Sequence, residues 1–304
     1  MTRALVDIEL ERIPLSWRGK VRNSFDLGDG RLLIVATDRI SAFDVILPTA
    51  LPGKGALLNR LSSLWFAWTG HLQPNHFVST DVTGLPLSDE ERGKLAGRAM
   101  IVQRAARVDV ECVVRGYVAG SAWEEYRQTG TIHGEAVQSG LKKASKLPTP
   151  RFTPALKHDT GHDENISRAE LRQRIGLELA ERLEGNSLAL YRAAAGLARK
   201  AGFVLADTKL EFGFIGNRLI LIDEALTPDS SRYWDTSAVQ QGIEPQAFDK
   251  QIVRDWLSRS GWDKQPPAPH LPPEVIEETL QRYQEVERRI RTSMSNVGEL
   301  ADDG

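Results

Sequence analysis

The sequence predicts an α+β chain of two lobes, a small and mostly antiparallel N-terminal lobe and a larger α+β lobe, with a cleft between them. Three observations carry that prediction. The chain has 304 residues, and a single core usually divides beyond ~250–300 residues. Its first hundred or so residues read as short strands punctuated by turns around one helix. Beyond them, helical periodicity alternates with a charged hairpin. The lobes are drawn at residues 1–112 and 113–304.

From Val21 to Val45, SFDL, the turn Gly28 to Gly30 and RLLIVATD read as a β-hairpin. Leu57, Leu58, Leu61, Leu64, Trp65 and Trp68 recur at helical spacing, and Gly70 stops that helix. AMIVQRAARVDVECVVRGYV predicts two more strands joined by a short polar turn. The Lys- and Pro-rich run GLKKASKLPTPRFTP, from Gly140 to Pro154, predicts a surface loop. Ser167 with Glu170 opens a helix expected to reach about Leu183, and Asn186 caps a second that ends before Gly202. LADTKLEFGF, Gly216-Asn217 and RLILIDEA form a further hairpin. QPPAPHLPPE is a spacer, and EVIEETLQRYQEVERRI a closing amphipathic helix.

Lys and Arg number 39 against 41 Asp and Glu, a formal charge of −2. That balance lacks the broad positive field of nucleic-acid binders, though local basic clusters can hold small anions. No apolar run approaches the ~20 residues of a membrane helix, and acids interrupt the amino terminus, so a cytoplasmic protein is expected. Cys112 is the only cysteine. It excludes an internal disulfide, and in the apolar run VECVV it reads as a buried thiol.

Alternation in Leu205 to Phe214 sends Asp207, Lys209 and Glu211 to one face, while Ala206, Leu210 and Phe212 pack inward. The charged face is either a solvated ladder or the wall of a wet cleft. A two-residue loop at Gly216-Asn217 would pair Glu211 with Ile222 and send Asp223 to the opposite face. A three-residue loop would set Glu211 across from Asp223, where two carboxylates share a divalent cation. Elsewhere, WRGKVRNSF presents Lys20 and Arg22 at alternating positions beside Gly19, a pattern that suits polyphosphate or a solvated turn. It is not a Walker A loop. PGKGALL reads as a helix start. RGYVAGSAW offers Arg115 and Ser121, the latter an anion contact or a plain N-cap. TPDSSRYW offers Ser230, Ser231 and Arg232. His158 and His162 stand four apart, but Thr160-Gly161 between them opposes a zinc-binding helix, leaving a polar loop in which Lys157 is the candidate phosphate contact.

Taken together, GKVR, DRISAFD, GKGALLNRLSSLWF, VECVVRGYVAGSAW, HDENIS, LADTKLEFG and TPDSSRYW resemble the phosphoribosylaminoimidazole-succinocarboxamide synthase (SAICAR synthetase) family, in that family's order from Arg18 to Trp234. The resemblance implies an ATP-driven, magnesium-dependent condensation of a carboxyaminoimidazole ribotide with L-aspartate, on a kinase-like small lobe over a larger one. It implies that Lys20, Arg22 and Lys157 cover ATP phosphates and that adenine docks along Glu111 to Val113 through backbone groups. Glu211 and Asp223 would hold magnesium. Arg115, Ser121, Ser231 and Arg232 would grip the ribotide, with Asp207 and Lys209 as catalytic residues near its carboxylate. DRISAFD and HDENIS are the candidates for the aspartate site. Two departures stand out: Asn23 replaces the Asp usual after GKVR, and ALKHD replaces STKA before HDENIS.

Overall fold

The computed structural model describes residues 4–157, 164–240 and 245–302. The His158–His162 pair, and the His162-Asp163 start of HDENIS, lie outside them. β1 (Leu15–Arg18), β2 (Arg22–Asp26) and β3 (Arg31–Ala36) make an antiparallel meander. Alternation along β2 buries Asn23 and Phe25 on one side and presents Arg22 and Ser24 to a cleft on the other. The hairpin of β4 (Ser41–Ala42) and β5 (Val45–Ile46) leads to α1 (Lys54–Thr69), which Gly70 ends as predicted. β6 (Phe77–Ser79) and β7 (Ala99–Gln103) flank α2 (Asp89–Leu95), whose first turn is closed by a reciprocal Ser88–Glu91 capping box. The resulting five-stranded sheet runs β1-β2-β3-β7-β6.

The chain then changes sheets. β8 (Ala106–Arg107) and β9 (Val110–Tyr117) both pair with a later strand, so the two strands expected around a short polar turn, β7 and β9, lie in different sheets. Position 112/113 falls inside β9, all of which belongs to the second sheet; the chain leaves the first sheet after Gln103 and enters the second at β8. α3 (Ser121–Thr129) and the small hairpin of β10 (Thr131–Ile132) and β11 (Glu135–Ala136) follow. The segment expected to be a loop is instead β12 (Lys146–Phe152), paired with β9 alone. Pro148 and Pro150 are tolerated because β12 is an edge strand whose register breaks between Lys146 and Arg151.

β13 (Ala155–Leu156) and β14 (Glu164–Asn165) extend the same edge. α4 (Arg168–Ile175) stops earlier than Leu183, because Gly176 takes a φ of 86°, and α5 (Leu177–Lys200) runs unbroken through Asn186. An Asn inside a helix costs little once a packed face dominates. That face carries Leu183, Leu190, Tyr191, Ala194 and Leu197 onto β9 and the 13-residue β15 (Phe203–Ile215). Tyr191 crosses so close to β9 that a Cβ on Gly116 would stand 1.9 Å from its hydroxyl oxygen. Truncating Leu190 to Ala should cost about 2–5 kcal/mol.

β16 (Arg218–Ile222) and β17 (Ser231–Asp235) pair with β15. α6 (Thr236–Gln240), α7 (Gln251–Arg259) and α8 (Pro273–Asp302) complete the chain, α8 packing on α1, α5 and α7. Among the described residues no helix is long and apolar enough to cross a membrane. Cys112 is fully buried, and burial pushes its thiol pKa up, away from nucleophilic use.

Candidate active site

Between the two sheets lies a cleft of about 1360 Å³. The residues expected to hold nucleotide, ribotide and metal all line it: Lys20, Arg22, Glu111, Val113, Arg115, Ser121, Lys157, Asp207, Lys209, Glu211, Asp223, Ser231 and Arg232. Among the described residues eleven Lys and Arg side chains face eight Asp and Glu there. A chain of net charge −2 thus concentrates positive charge in its groove, where anions are drawn.

The centre of the site is β15. Asp207 and Glu211 are buried and Lys209 lies between them, so the charged face is a cleft wall and not a solvated ladder. At one end, Asp207 accepts from Arg115 at 3.1 Å and from Arg232 at 2.5 Å. Arg115 also donates to the Ser121 hydroxyl at 3.1 Å. Ser121 is the first residue of α3 and caps nothing, so its plain N-cap role is excluded. Ser231 bonds Thr208 at 2.7 Å.

At the other end, Lys157 bonds Glu211, and Lys209 donates to Glu111 at 2.5 Å and lies 3.9 Å from Glu211. Burial alone would raise the Glu211 pKa, but Lys157, Lys209 and Arg22 outweigh it and hold the carboxylate below its ordinary value. The same acids raise Lys209 despite its desolvation, so the ammonium stays charged. Arg22 donates to both oxygens of Asp223 at 2.7 Å and reaches Glu224 at 3.0 Å.

The hairpin register is the two-residue one: Ile215 pairs with Arg218 and Glu211 with Ile222. Asp223 nevertheless joins Glu211 in the cleft, because it lies just past the strand with a φ of 67°. A left-handed residue breaks the alternation that strand arithmetic assumes. Among the described residues no group of three or more His, Cys, Asp or Glu is arranged for a metal. A cation here would take one or two carboxylates and draw its other oxygens from a ligand, which is the habit of magnesium.

Glu111 to Val113 does not offer its backbone as expected. β9 is interior to its sheet, and these residues pair with Ala155 on one side and with Lys209 and Leu210 on the other; the Val113 carbonyl accepts from Thr153 at 2.8 Å. Glu111 and Val113 line the cleft, and Cys112 between them does not. Asn23 turns the other way, donating to Asp7 at 2.9 Å and accepting from Arg39 at 2.8 Å, so its departure from the family pattern does not touch the groove. In DRISAFD, Asp38 is fully buried and braces Leu5, Gly55 and Arg98, whereas Ser41 to Asp44 reach the cleft and Asp44 pairs with Lys20 at 2.5 Å.

Sequence reasoning missed several groups. Asp229 is a buried anchor that accepts from Tyr283 at 2.7 Å and Lys54 at 3.0 Å, with Lys250 at 3.4 Å. These two lysines and Tyr283 hold its pKa well down against the effect of burial. Arg254 lines the cleft, and its guanidinium has no hydrogen bond or ion pair among the described residues; burial and the neighbouring Arg232 lower its pKa. Asp249 lies close enough to Arg232 and Arg254 to feel their charge, yet burial lifts it to about 6. A lone Arg at helical spacing after Lys250 was the only available signal for Arg254.

The SAICAR synthetase family profile matches residues 15–269. Phosphoribosylaminoimidazole-succinocarboxamide synthases of Leptospira interrogans and Pasteurella multocida are each 48% identical to this chain, over 92% of it and 98% of their own length. A solved SAICAR synthase from Saccharomyces cerevisiae, complexed with SAICAR, superposes with a TM-score of 0.83 at 36% identity, covering 94% of this chain and 98% of that one. A SAICAR synthetase in complex with ADP does so at 0.67 and 25% identity, over 90% and 96%. The match runs through both sheets that build the anion-attracting groove, and the chain belongs to the SAICAR synthetase family.

Proposed function

We propose that this chain is an ATP-dependent ligase that joins L-aspartate to the carboxylate of 5-amino-1-(5-phospho-D-ribosyl)imidazole-4-carboxylate, forming SAICAR, ADP and phosphate in cytoplasmic de novo purine biosynthesis. The observation that supports it most is the order of charge along β15: a guanidinium pair around Asp207, the Lys209 ammonium, then Glu211 facing the Asp223 corner. Such a row suits a ligand with a phosphate at one end and a carboxylate to be activated at the other.

Arg115 and Arg232 hold the ribotide phosphate with Ser121 and Ser231, and Arg254 supplies a further guanidinium. Asp207 fixes the direction of the two arginines. The nucleotide lies across the small sheet, its base against the apolar lining of Leu32, Ile34, Val102 and Ala105, its phosphates under Lys20, Arg22 and Lys157. Glu211 and Asp223 fit a magnesium ion, since both are carboxylates at one end of the cleft beside the phosphate-binding cations. Bound there, the ion would neutralise charge on the transferred phosphoryl group.

A carboxylate is a poor electrophile, so an amine attacks it only after a leaving group is supplied. A ribotide carboxylate oxygen attacks the γ-phosphorus, the β–γ bridging bond breaks, and ADP leaves with the electron pair. The aspartate amine then attacks the acyl carbon and loses a proton; the C–O bond to phosphate breaks, and inorganic phosphate departs with one former carboxylate oxygen. Lys209 and Lys157 stabilise the charge that builds up between the reacting groups. A coupled ADP-release assay with the ribotide tests the reaction: release should require both ribotide and aspartate. Release with a hydroxyl acceptor and no aspartate would instead mark a kinase. With ¹⁸O in the ribotide carboxylate, label should appear in the released phosphate, and its absence rules out the acyl phosphate.

A further inference from the structure

Of the eleven lysines and arginines described in the cleft, seven are assigned above to phosphates or to the reacting carboxylate. Three more are neutralised where they stand: Arg18 pairs with Asp7, Arg107 with Asp109 at 2.7 Å and Lys250 with Asp229 at 3.4 Å. That leaves Lys264, whose ammonium makes no ion pair or hydrogen bond among the described residues and lies over the Phe43 ring, 4.6 Å from its centroid. A ring face positions a cation without neutralising it, so an incoming carboxylate has no internal acid to displace. Phe43 and Asp44 are the two-residue loop between β4 and β5, with φ of 51° and 63°. Such a loop is ordinarily Asn-Gly or Asp-Gly, and a bulky residue at a left-handed position persists where its contacts over-determine it. Here Trp262 meets the Phe43 ring edge-on, with centroids 6.3 Å apart, and Lys20 holds Asp44 at 2.5 Å. Trp262 also donates through Nε1 to the Gln265 carbonyl at 2.6 Å, closing the short loop that carries Lys264. Beneath the turn, Ile40, Ala42 and Leu47 share one apolar cluster with Val253 and Leu257 of α7.

We propose that Lys264 binds a carboxylate of the amino-acid substrate, which places L-aspartate at the Phe43-Asp44 turn. The inference rests on the ligase reading and gives a site to the one substrate that reading leaves unplaced. Aspartate brings two carboxylates, neither of which reacts, so each needs a counter-charge beyond the cations already committed to phosphates. Lys264 is the cleft cation with its charge unspent. Lys20 ties the turn to the cations assigned to the nucleotide phosphates, so an amino acid held there lies beside the part of the cleft where the acyl group is activated. The ammonium makes and breaks no bond in the reaction; its loss is felt as weaker aspartate binding.

The test is the ADP-release assay on the full chain, for wild type, Lys264→Met and Lys264→Arg, with each of the three substrates varied in turn. Methionine keeps an unbranched side chain against the Phe43 ring and removes the charge. Lys264→Met should raise the KM for aspartate about tenfold, the size of one lost hydrogen bond to a charged group, while the KM values for ATP and ribotide stay at those of wild type. Lys264→Arg keeps a cation over the ring and should keep the wild-type KM for aspartate. An unchanged aspartate KM in Lys264→Met overturns the proposal. So does a rise shared by all three substrates, which marks a structural role for the turn. Equal losses in the Met and Arg variants overturn it as well, because charge is then not the property that matters. If wild type releases no ADP in response to aspartate, the ligase reading itself fails, and no variant is needed to see it.

Discussion

Glu211 is buried among cations, so its charge is the property to remove. Glu211→Gln keeps the shape and should lower kcat/KM by ~10²–10³ in the ADP-release assay, the range typical of a lost electrostatic group. Full activity would return the row on β15 to a structural ladder. The pH dependence of stability has two signs at two acids. Glu211 has a folded pKa below its ordinary 4.5, so its contribution is present above that value and is lost as pH falls through the folded one. Asp249 is the reverse: burial lifts it from 3.8 to about 6, so stability falls as pH rises across that interval. Asp249→Asn mimics the protonated acid and retains an acceptor for the Gln251 amide. It should therefore gain stability over wild type at pH 8 and gain less at pH 5, measured by urea unfolding.

At the level of elements, the turn from β9 into α3 sets the guanidinium pair. Gly120 has a φ of 54°, and a Cβ there would stand 2.3 Å from Nη2 of Arg232. Gly120→Ala should displace that side chain and raise the KM for ribotide about tenfold with a smaller change in kcat, the signature of weakened ground-state binding. Much of this level was legible in the sequence, because α1, the first hairpin and the β15–β16 pair each carry their own periodicity and turn residues. What failed had non-local causes. β12 is a strand because β9 offers an edge, although its own composition argues for a loop. The face of Asp223 could not be read because period-two alternation stops where the strand does. The site residues on β9, β15 and β17 were legible as types at spacings, whereas Arg254 and Asp229 gain their meaning only from partners distant in sequence.

For the whole molecule, the cleft is closed off by ion pairs that join distant segments, among them Arg22 to Asp223 and Lys54 to Asp229. A ligand that binds only the folded chain stabilises it by mass action, so ADP with magnesium at a hundredfold over Kd should add about 2.7 kcal/mol to unfolding, visible as a raised Tm. Removing one member of the deeper pair, as in Lys54→Met, leaves Asp229 with Lys250 and Tyr283 alone and should lower Tm, with about 3–5 kcal/mol as the ceiling for a broken buried pair.

β15 has one further consequence for which ligands can react. Side chains leave its cleft face every second residue, so Asp207 and Glu211 are separated by roughly 13 Å of nearly inextensible backbone. Three other strands, β9, β16 and β17, grip that backbone, and it cannot slide to suit a visitor. The strand thus acts as a gauge with fixed graduations: a ribotide lengthened by one methylene between phosphate and ring can satisfy the guanidinium end or the metal end, but not both. Such a homologue should occupy the groove as an inhibitor while failing to turn over.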